Sequence, residues 1–372
     1  MKITSVEPIV LRLAEIDTRR ADGTQDAFIV RVHTDEGLVG VGEADTSPYV
    51  ARTIVEMPSS HAVARGLAEL LVGEDPLAIR RLWDRMFRGS YHYGRAGAAL
   101  HAISAVDIAL WDIAGKAAGR PVSDLLGGRR VDSLTAYASE VMPETAGEVR
   151  RIAAHAVEAG YDALKLGWGP LGRRLDHDVE LVAVARAELG PDRTLMVDGG
   201  TAYTVKRALE LVRALEPYRV YWLEEPLAAD DYDGYRRLAD AAPVRIAAGE
   251  ADSGIRPFRD LVERGHVDVL QPDLARCGGF TVGRRIAELA ADAGVEVVPH
   301  CFSTGILVAA SLHFAACLDR PTFAELSVAG SPLVAELLET PFELRDGRLD
   351  VPKGPGLGVE LNEELIERLR VT

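Results

Sequence analysis

Three acidic residues recur at one interval. Asp198, Glu224 and Glu250 stand 26 residues apart each time, in "MVDGG", "WLEEP" and "AAGEA". Each closes a short apolar run of the kind that forms a buried strand. A carboxylate there is costly to desolvate, and three like charges in one mouth raise one another's pKa values. A divalent cation removes that penalty. An all-carboxylate set completed by water suits a hard ion, Mg²⁺ first and Mn²⁺ second, and does not suit Zn²⁺. Side chains alternate along a strand, so Glu225 is expected to face away from the ligand set and to support the site or form an ion pair nearby.

Two further strand ends continue the series. Asp273 in "QPD" and His300 in "VVPH" are 27 residues apart. A carboxylate beside an imidazole fixes its tautomer and raises its basicity, which suits a general acid or base near neutral pH. Lys165 in "DALKLGW" can bring a cation to a substrate carboxylate or enolate oxygen. Glu325 in "TFAELS" can hydrogen-bond the other oxygen if it is protonated, which calls for a raised pKa supplied by neighbouring anions.

These residues need a frame that holds them in register. From about residue 132 the chain alternates short β-rich runs with helical patterns: "SLTAYAS", "DALKLGW", "TLMVDGG", "VYWLEEP", "RIAAGEA", "VDVLQPD", "EVVPH" and "TFAELS". Eight βα units point to a parallel barrel, whose C-terminal strand ends carry the site, with the last units less regular. Ahead of them, residues 1–60 read as strands, with a polar stretch at Ala14–Gln25 expected to be a mobile loop. A helical pattern follows, in which Ala99, Ile103, Val106, Leu110 and Ile113 recur and Gly119 and Pro121 end the run. The Gly- and Pro-rich tail from residue 330 leaves the repeat and is expected to pack back on the N-terminal region.

Bulk properties narrow the partners. The 372-residue chain carries a net charge of −15, which argues against nucleic acid or an anionic membrane as the main partner. Three widely spaced cysteines, Cys277, Cys301 and Cys317, make no disulfide framework and fit a reducing cytoplasm. The N-terminus lacks a signal-peptide pattern, and the most apolar run, "GILVAASLHFAACL", is short and interrupted by His313, so no membrane span is expected.

With "MVDGG", "WLEEP", "AAGEA", "QPDLARCGG", "VVPH" and "FAELS" in this order, the chain resembles the enolase superfamily, specifically its mandelate racemase-like subgroup. The resemblance runs nearly end to end. It implies a modified TIM (β/α) barrel at 132–328, an N-terminal α+β capping domain at 1–125 and a C-terminal segment, 329–372, that returns to the cap. It also implies removal of the proton α to a carboxylate, with one Mg²⁺ per subunit on Asp198, Glu224 and Glu250 stabilising the enediolate. Asp273 and His300 then act on one face, and Glu325 hydrogen-bonds the substrate carboxylate. The cap loops Asp17–Gln25 and Thr46–Val50 would close over the substrate and select it. Tyr91, His92 and Arg95, in "YHYGRAG", resemble a segment that can border the pocket, and Trp168, Arg173 and Arg174 in "GWGPLGRR" could meet a polyhydroxy or carboxylate chain, the bland alternative for the arginines being a solvated surface.

Two departures from the family pattern bear on the reaction. Where the family often has Lys-x-Lys on the second barrel strand, this chain has Lys165 followed by Gly167. Gly200 stands where Asn is frequent. A racemase needs a base on each face of the α-carbon, and here His300 is the obvious one, although Lys165 could act if the backbone aims it. The expected activity is therefore a Mg²⁺-dependent acid-sugar dehydratase, giving a 2-keto-3-deoxy product from an aldonate or aldarate. The alternatives are a sugar-acid cycloisomerase or lactone-opening enzyme, then an epimerase, and from another class a non-catalytic sugar-acid-binding paralogue. The family resemblance further implies a homo-oligomer, dimer or octamer.

Overall fold

A computed structural model of the chain describes residues 1–19, 21 and 23–371. The N-terminal sheet is antiparallel and built from β1 (Ile3–Arg12), β2 (Asp26–Thr34) and β3 (Val39–Ala44), in that order. The helix Ala98–Ala118 lies across it. In "VGVGEA" the glycines explain the close fit, since a Cβ on Gly42 would come within 1.9 Å of the Ala105 carbonyl oxygen and one on Gly40 within 2.1 Å of that of Ala109. The helix begins after the turn at 90–97 and ends where Gly119 takes the left-handed conformation, φ 65°. It is also the one described helix long and apolar enough to cross a membrane, a feature the sequence reading assigned to no segment. Its most apolar window is 83% buried inside the fold, which marks it as a core helix.

Eight parallel strands follow: β4 (Ser133–Val141), β5 (Ala163–Gly167), β6 (Thr194–Asp198), β7 (Val220–Glu224), β8 (Arg245–Ala248), β9 (Val269–Leu270), β10 (Glu296–Val297) and β11 (Phe323–Ser327). Each coincides with one of the eight runs read from the sequence. Their order is β10-β9-β8-β7-β6-β5-β4-β11, with a helix in each of the seven connections. Among the described residues no ladder joins β10 to β11, and the last two-residue strands are the irregular part of the barrel.

One apolar layer fills the barrel. Tyr137, Ala163, Met196, Trp222, Ala247, Val269 and Val298 come from seven successive strands or strand ends and pack together, with Phe323 against them. Because strand side chains repeat every two residues, the next inward position toward the C-terminal end carries Ser139, Lys165, Asp198, Glu224, Gln271, His300 and Glu325. The polar layer of the site is thus stacked directly on a packed hydrophobic floor.

The C-terminal tail divides its contacts. β12 (Arg348–Asp350) pairs antiparallel with the start of β4, whereas Val371 donates its N–H to the Val10 carbonyl oxygen at 2.8 Å and Arg370 reaches Glu7 at 2.8 Å. It therefore touches the barrel as well as the N-terminal sheet. Glu43 on β3 locks the two together. Its buried carboxylate accepts from the Ser303 hydroxyl, from Thr304 N–H at 3.2 Å and Oγ1 at 2.7 Å, and from Leu307 N–H at 3.0 Å, which caps the barrel helix Gly305–Ala315.

Candidate active site

The barrel mouth holds a cavity of about 380 Å³ lined by Lys165, Asp198, Glu225, Glu250 and His300 from the barrel and by Ala21, Gly23 and Asp45 from the cap. Asp198, Glu224 and Glu250 meet at its base. One carboxylate oxygen from each lies within 4.8 Å of the others, and all three are buried. Their equal spacing does not mean equal register. Asp198 pairs directly with Glu224, but Glu224 pairs with Ala247, so Glu250 lies three residues beyond its row. Gly249, at φ 130° just after β8 ends, turns the chain so that Glu250 still enters the cluster.

The donor set fits a hard cation. Burial, then Glu224 and Glu250, push the Asp198 pKa well above the ordinary range, and burial pushes Glu250 to about 7. Glu250 Oε2 accepts no hydrogen bond, although His300 Nε2 lies 3.3 Å away. Glu224 is better supplied, accepting from Lys165 Nζ at 2.5 Å, Gln271 Nε2 at 2.7 Å and Trp222 Nε1 at 2.9 Å. Gln271 and Trp222 were not singled out from the sequence. The signal was there, since both share the inward parity of Glu224 on their strands.

Glu225 departs from simple alternation. Its φ of 31° ends the strand, and its side chain turns toward the next strand end, accepting from Gly249 N–H at 3.2 Å and Ala251 N–H at 3.4 Å. It lines the cavity on backbone donors, with no ion pair recorded for it among the described residues.

His300 and Asp273 form a pair, with Nδ1 to Oδ2 at 2.7 Å. Asp273 is held in turn by the Ala275 N–H at 2.7 Å. Burial would favour neutral imidazole, but Glu250, Glu325 and Asp273 outweigh it and raise His300 to about 10. Arg276, which the sequence reading passed over within "QPDLARCGG", is half-buried beside them. It binds Asp45 of the cap at 2.6 Å and lies 3.7 Å from Glu250 and 3.9 Å from Asp273.

The structure bears on two expectations, for Lys165 and for Glu325. Lys165 Nζ sits between Glu224 and Glu325, at 2.5 and 2.9 Å. Burial alone would favour the free amine, yet these two anions hold its pKa well above the usual lysine value, which favours the cationic form. Glu325 was expected to have a raised pKa. Burial does push it up, but Lys165 and then His300 pull harder and bring it down to about 2. It is a carboxylate, accepting the Cys301 N–H at 2.7 Å. The neighbours that decide its charge are cations and not the anions counted from the sequence.

Trp168 lines the cavity, but Tyr91, His92 and Arg95 do not. The turn at 90–97 packs on the cap through Tyr93, whose hydroxyl donates to the Arg65 carbonyl at 2.7 Å. That leaves Tyr91 and Arg95 stacked on each other and His92 against His61, all outside the mouth. Arg173 and Arg174 pair with Glu144 and Asp176 on the exposed surface. Of the two cap loops, the first reaches the cavity at Ala21 and Gly23, and its described part is tied by Gln25 Oε1 accepting the Asp17 N–H at 2.7 Å. Thr46–Val50 does not line the cavity; Asp45 does.

A capped (β/α) barrel carries a buried three-carboxylate cluster that could hold a metal ion, with an Asp–His pair beside it at the C-terminal mouth where barrel enzymes place their active sites. Residues 6–127 match the mandelate racemase/muconate lactonizing enzyme N-terminal domain, and residues 148–365 match the enolase C-terminal domain-like family. The chain belongs to the enolase superfamily, in its mandelate racemase-like subgroup. It is 36% identical to a D-galactonate dehydratase of Cronobacter sakazakii, covering 91% of this chain and 90% of that protein. The 3,6-anhydro-D-galactonate cycloisomerase of Zobellia galactanivorans superposes with a TM-score of 0.91 at 34% identity over 100% of both chains. A racemase of Streptomyces coelicolor A3(2) with bound magnesium superposes with a TM-score of 0.87 at 29% identity, over 99% of this chain and 100% of that one.

Proposed function

We propose that this enzyme is an acid-sugar dehydratase that removes the proton α to a carboxylate and expels the β-hydroxyl as water. One observation carries the choice over a racemase. Among the described residues His300 is the one imidazole that lines the cavity, the neighbouring anions favour Lys165 as a cation, and position 167 has no room for any side chain. A Cβ on Gly167 would lie 2.3 Å from the Asp198 Cβ.

In this reading Asp198, Glu224 and Glu250 hold one Mg²⁺, with Mn²⁺ as a substitute. When bound, the ion supplies positive charge beside the substrate carboxylate and neutralises Glu250, the chief anion raising His300. His300, oriented by Asp273 through Nδ1, takes the α-proton on Nε2. The electron pair left on the α-carbon forms a double bond to the β-carbon as the β-hydroxyl departs. The same imidazolium gives that hydroxyl a proton, so water leaves and the enol product tautomerises to a 2-keto-3-deoxy acid. Lys165 adds a fixed cation beside the developing carboxylate charge, and Glu325, ionised, keeps Lys165 in place and does not donate a hydrogen bond itself.

The acid-sugar class is supported by dehydratase relatives at 30–36% identity, among them the D-galactonate enzyme above. A cycloisomerase is the second reading, favoured by the full-length match to the Zobellia structure; it uses the same proton abstraction with a ring oxygen as leaving group. The division into a cap at 1–125, a barrel at 132–328 and a returning segment at 329–372, the homo-oligomer of dimer or octamer size and the cytoplasmic location go with this proposal. The test is turnover of mono- and diacid sugars with Mg²⁺ in D₂O, followed by NMR. A 2-keto-3-deoxy acid is the expected product. Deuterium exchange or ring opening without a keto acid would overturn the dehydratase in favour of an epimerase or cycloisomerase.

A further inference from the structure

Trp168 is built unlike the other three tryptophans. Trp83, Trp111 and Trp222 are buried, whereas Trp168 is 40% exposed and lines the cavity beside Asp198. Its backbone is left-handed, at φ 59°, a conformation that a bulky side chain avoids unless its surroundings impose it. Two contacts impose it. The Trp168 N–H donates to the Asp198 carbonyl oxygen at 3.2 Å, and the indole lies against Gly200. A Cβ on Gly200, itself at φ 53°, would come within 2.9 Å of the indole Cδ2. The two departures from the family pattern are therefore parts of one corner. Gly167 lets the strand end close on Asp198, and Gly200 leaves room for the ring that follows.

We propose that Trp168 determines substrate class by stacking its indole face on the C–H face of a polyhydroxylated chain or ring beyond the reacting carbons. This rests on the acid-sugar reading and refines it. An aromatic face is electron-rich and attracts the polarised C–H groups of a sugar, while a rigid ring loses little conformational freedom on contact. The other cavity residues are mostly polar or charged, Asp45, Glu225 and Arg276 among them, and these suit hydroxyl groups. Trp168 shares the apolar part of the lining with Val141 and Phe302, and an apolar surface beside these charged groups fits a sugar acid and gives no advantage to a short α-hydroxy acid.

The test uses iodide quenching, which reads the exposed tryptophan selectively, on the Mg²⁺-loaded full chain. A panel of aldonates and aldarates is compared with glycolate, which has the α-hydroxy carboxylate and no chain. Binding is followed separately by the shift in melting temperature. The expected result is that a binding sugar acid shields Trp168 and glycolate does not. Trp168→Ala should weaken that sugar acid roughly tenfold and leave glycolate unchanged, with Trp168→Phe between. A sugar acid that binds or turns over without shielding the indole, or a Trp168→Ala variant that binds it as tightly as before or loses glycolate equally, overturns the stacking role alone. If no sugar acid binds while another carboxylate does, the acid-sugar reading falls and the stacking role falls with it.

Discussion

Gly167 stands so close to Asp198 that a Cβ on the glycine would lie 2.3 Å from the Asp198 Cβ and 2.8 Å from its carboxyl carbon. The two are register partners on adjacent parallel strands, and the approach leaves no space for a second base. It also makes the glycine a support for Asp198. Gly167→Ala is expected to displace Asp198, abolish the rise in melting temperature with Mg²⁺ and lower turnover on the order of 100-fold. Calorimetry with and without Mg²⁺ checks the first part. An unchanged Mg²⁺ response would show that the strands can separate at no cost.

Glu224 is the most heavily hydrogen-bonded of the three acids, so removing its charge tests the cluster without emptying the site. Glu224→Gln should eliminate Mg²⁺-dependent stabilisation and cut turnover by about 100-fold or more. Titration with Mg²⁺ and with EDTA against melting temperature reads this directly. Retained Mg²⁺ affinity would remove Glu224 from the ligand set.

Asp273 holds His300 by one short bond to Nδ1. Asp273→Asn keeps the shape and loses the charge, so proton transfer should slow by roughly 10²- to 10⁴-fold. The α-deuterium exchange rate on a bound sugar acid is the measurement, and exchange at the wild-type rate would move the proton transfer to another group.

The raised pKa of His300 has a consequence for the metal-free protein. Folded, its pKa is about 10; its ordinary value is 6.5. Below pH 6.5 both folded and unfolded forms are protonated and the stabilisation is fully present. As pH rises toward 10 the folded form alone keeps the proton, so stability declines across that window. Glu250, raised to about 7, makes its own change below that pH, but Asp252, raised to about 8, and Cys317, raised from 9 to about 11, also titrate within the window, so the share of His300 is read from its own substitution. Denaturant unfolding in EDTA should show the decline, and His300→Gln should make it shallower. A slope that the substitution leaves unchanged assigns the titration elsewhere.

Glu43 accepts from four donors across the cap–barrel junction. Glu43→Ala leaves the Thr304 and Leu307 N–H groups buried without a partner and should cost about 2–4 kcal/mol in equilibrium unfolding. A change under 0.5 kcal/mol would mean that water or a neighbour takes over those bonds.

The eight strands were readable because a parallel barrel repeats a local pattern, an apolar run closing in a polar residue, and that pattern is written residue by residue. The same period of two predicts which side chains share the floor and which share the layer above it, from Tyr137 and Ser139 round to Phe323 and Glu325. The convergence of Asp198 and Glu224 follows from their strands alone. Glu250 does not follow in this way: it lies three residues out of register and reaches the cluster through the turn at Gly249, which depends on how β8 ends. The charge of Glu325 was misjudged because it is set by a sum over neighbours, in which Lys165, 160 residues earlier in the chain, and then His300 outweigh burial. Arg276 meeting Asp45, the clash waiting at Gly167 and the removal of Tyr91, His92 and Arg95 from the mouth are likewise distances between segments far apart in the chain. Strand periodicity is a property of consecutive residues. Electrostatic balance and close approach belong to residues that only the folded chain brings together.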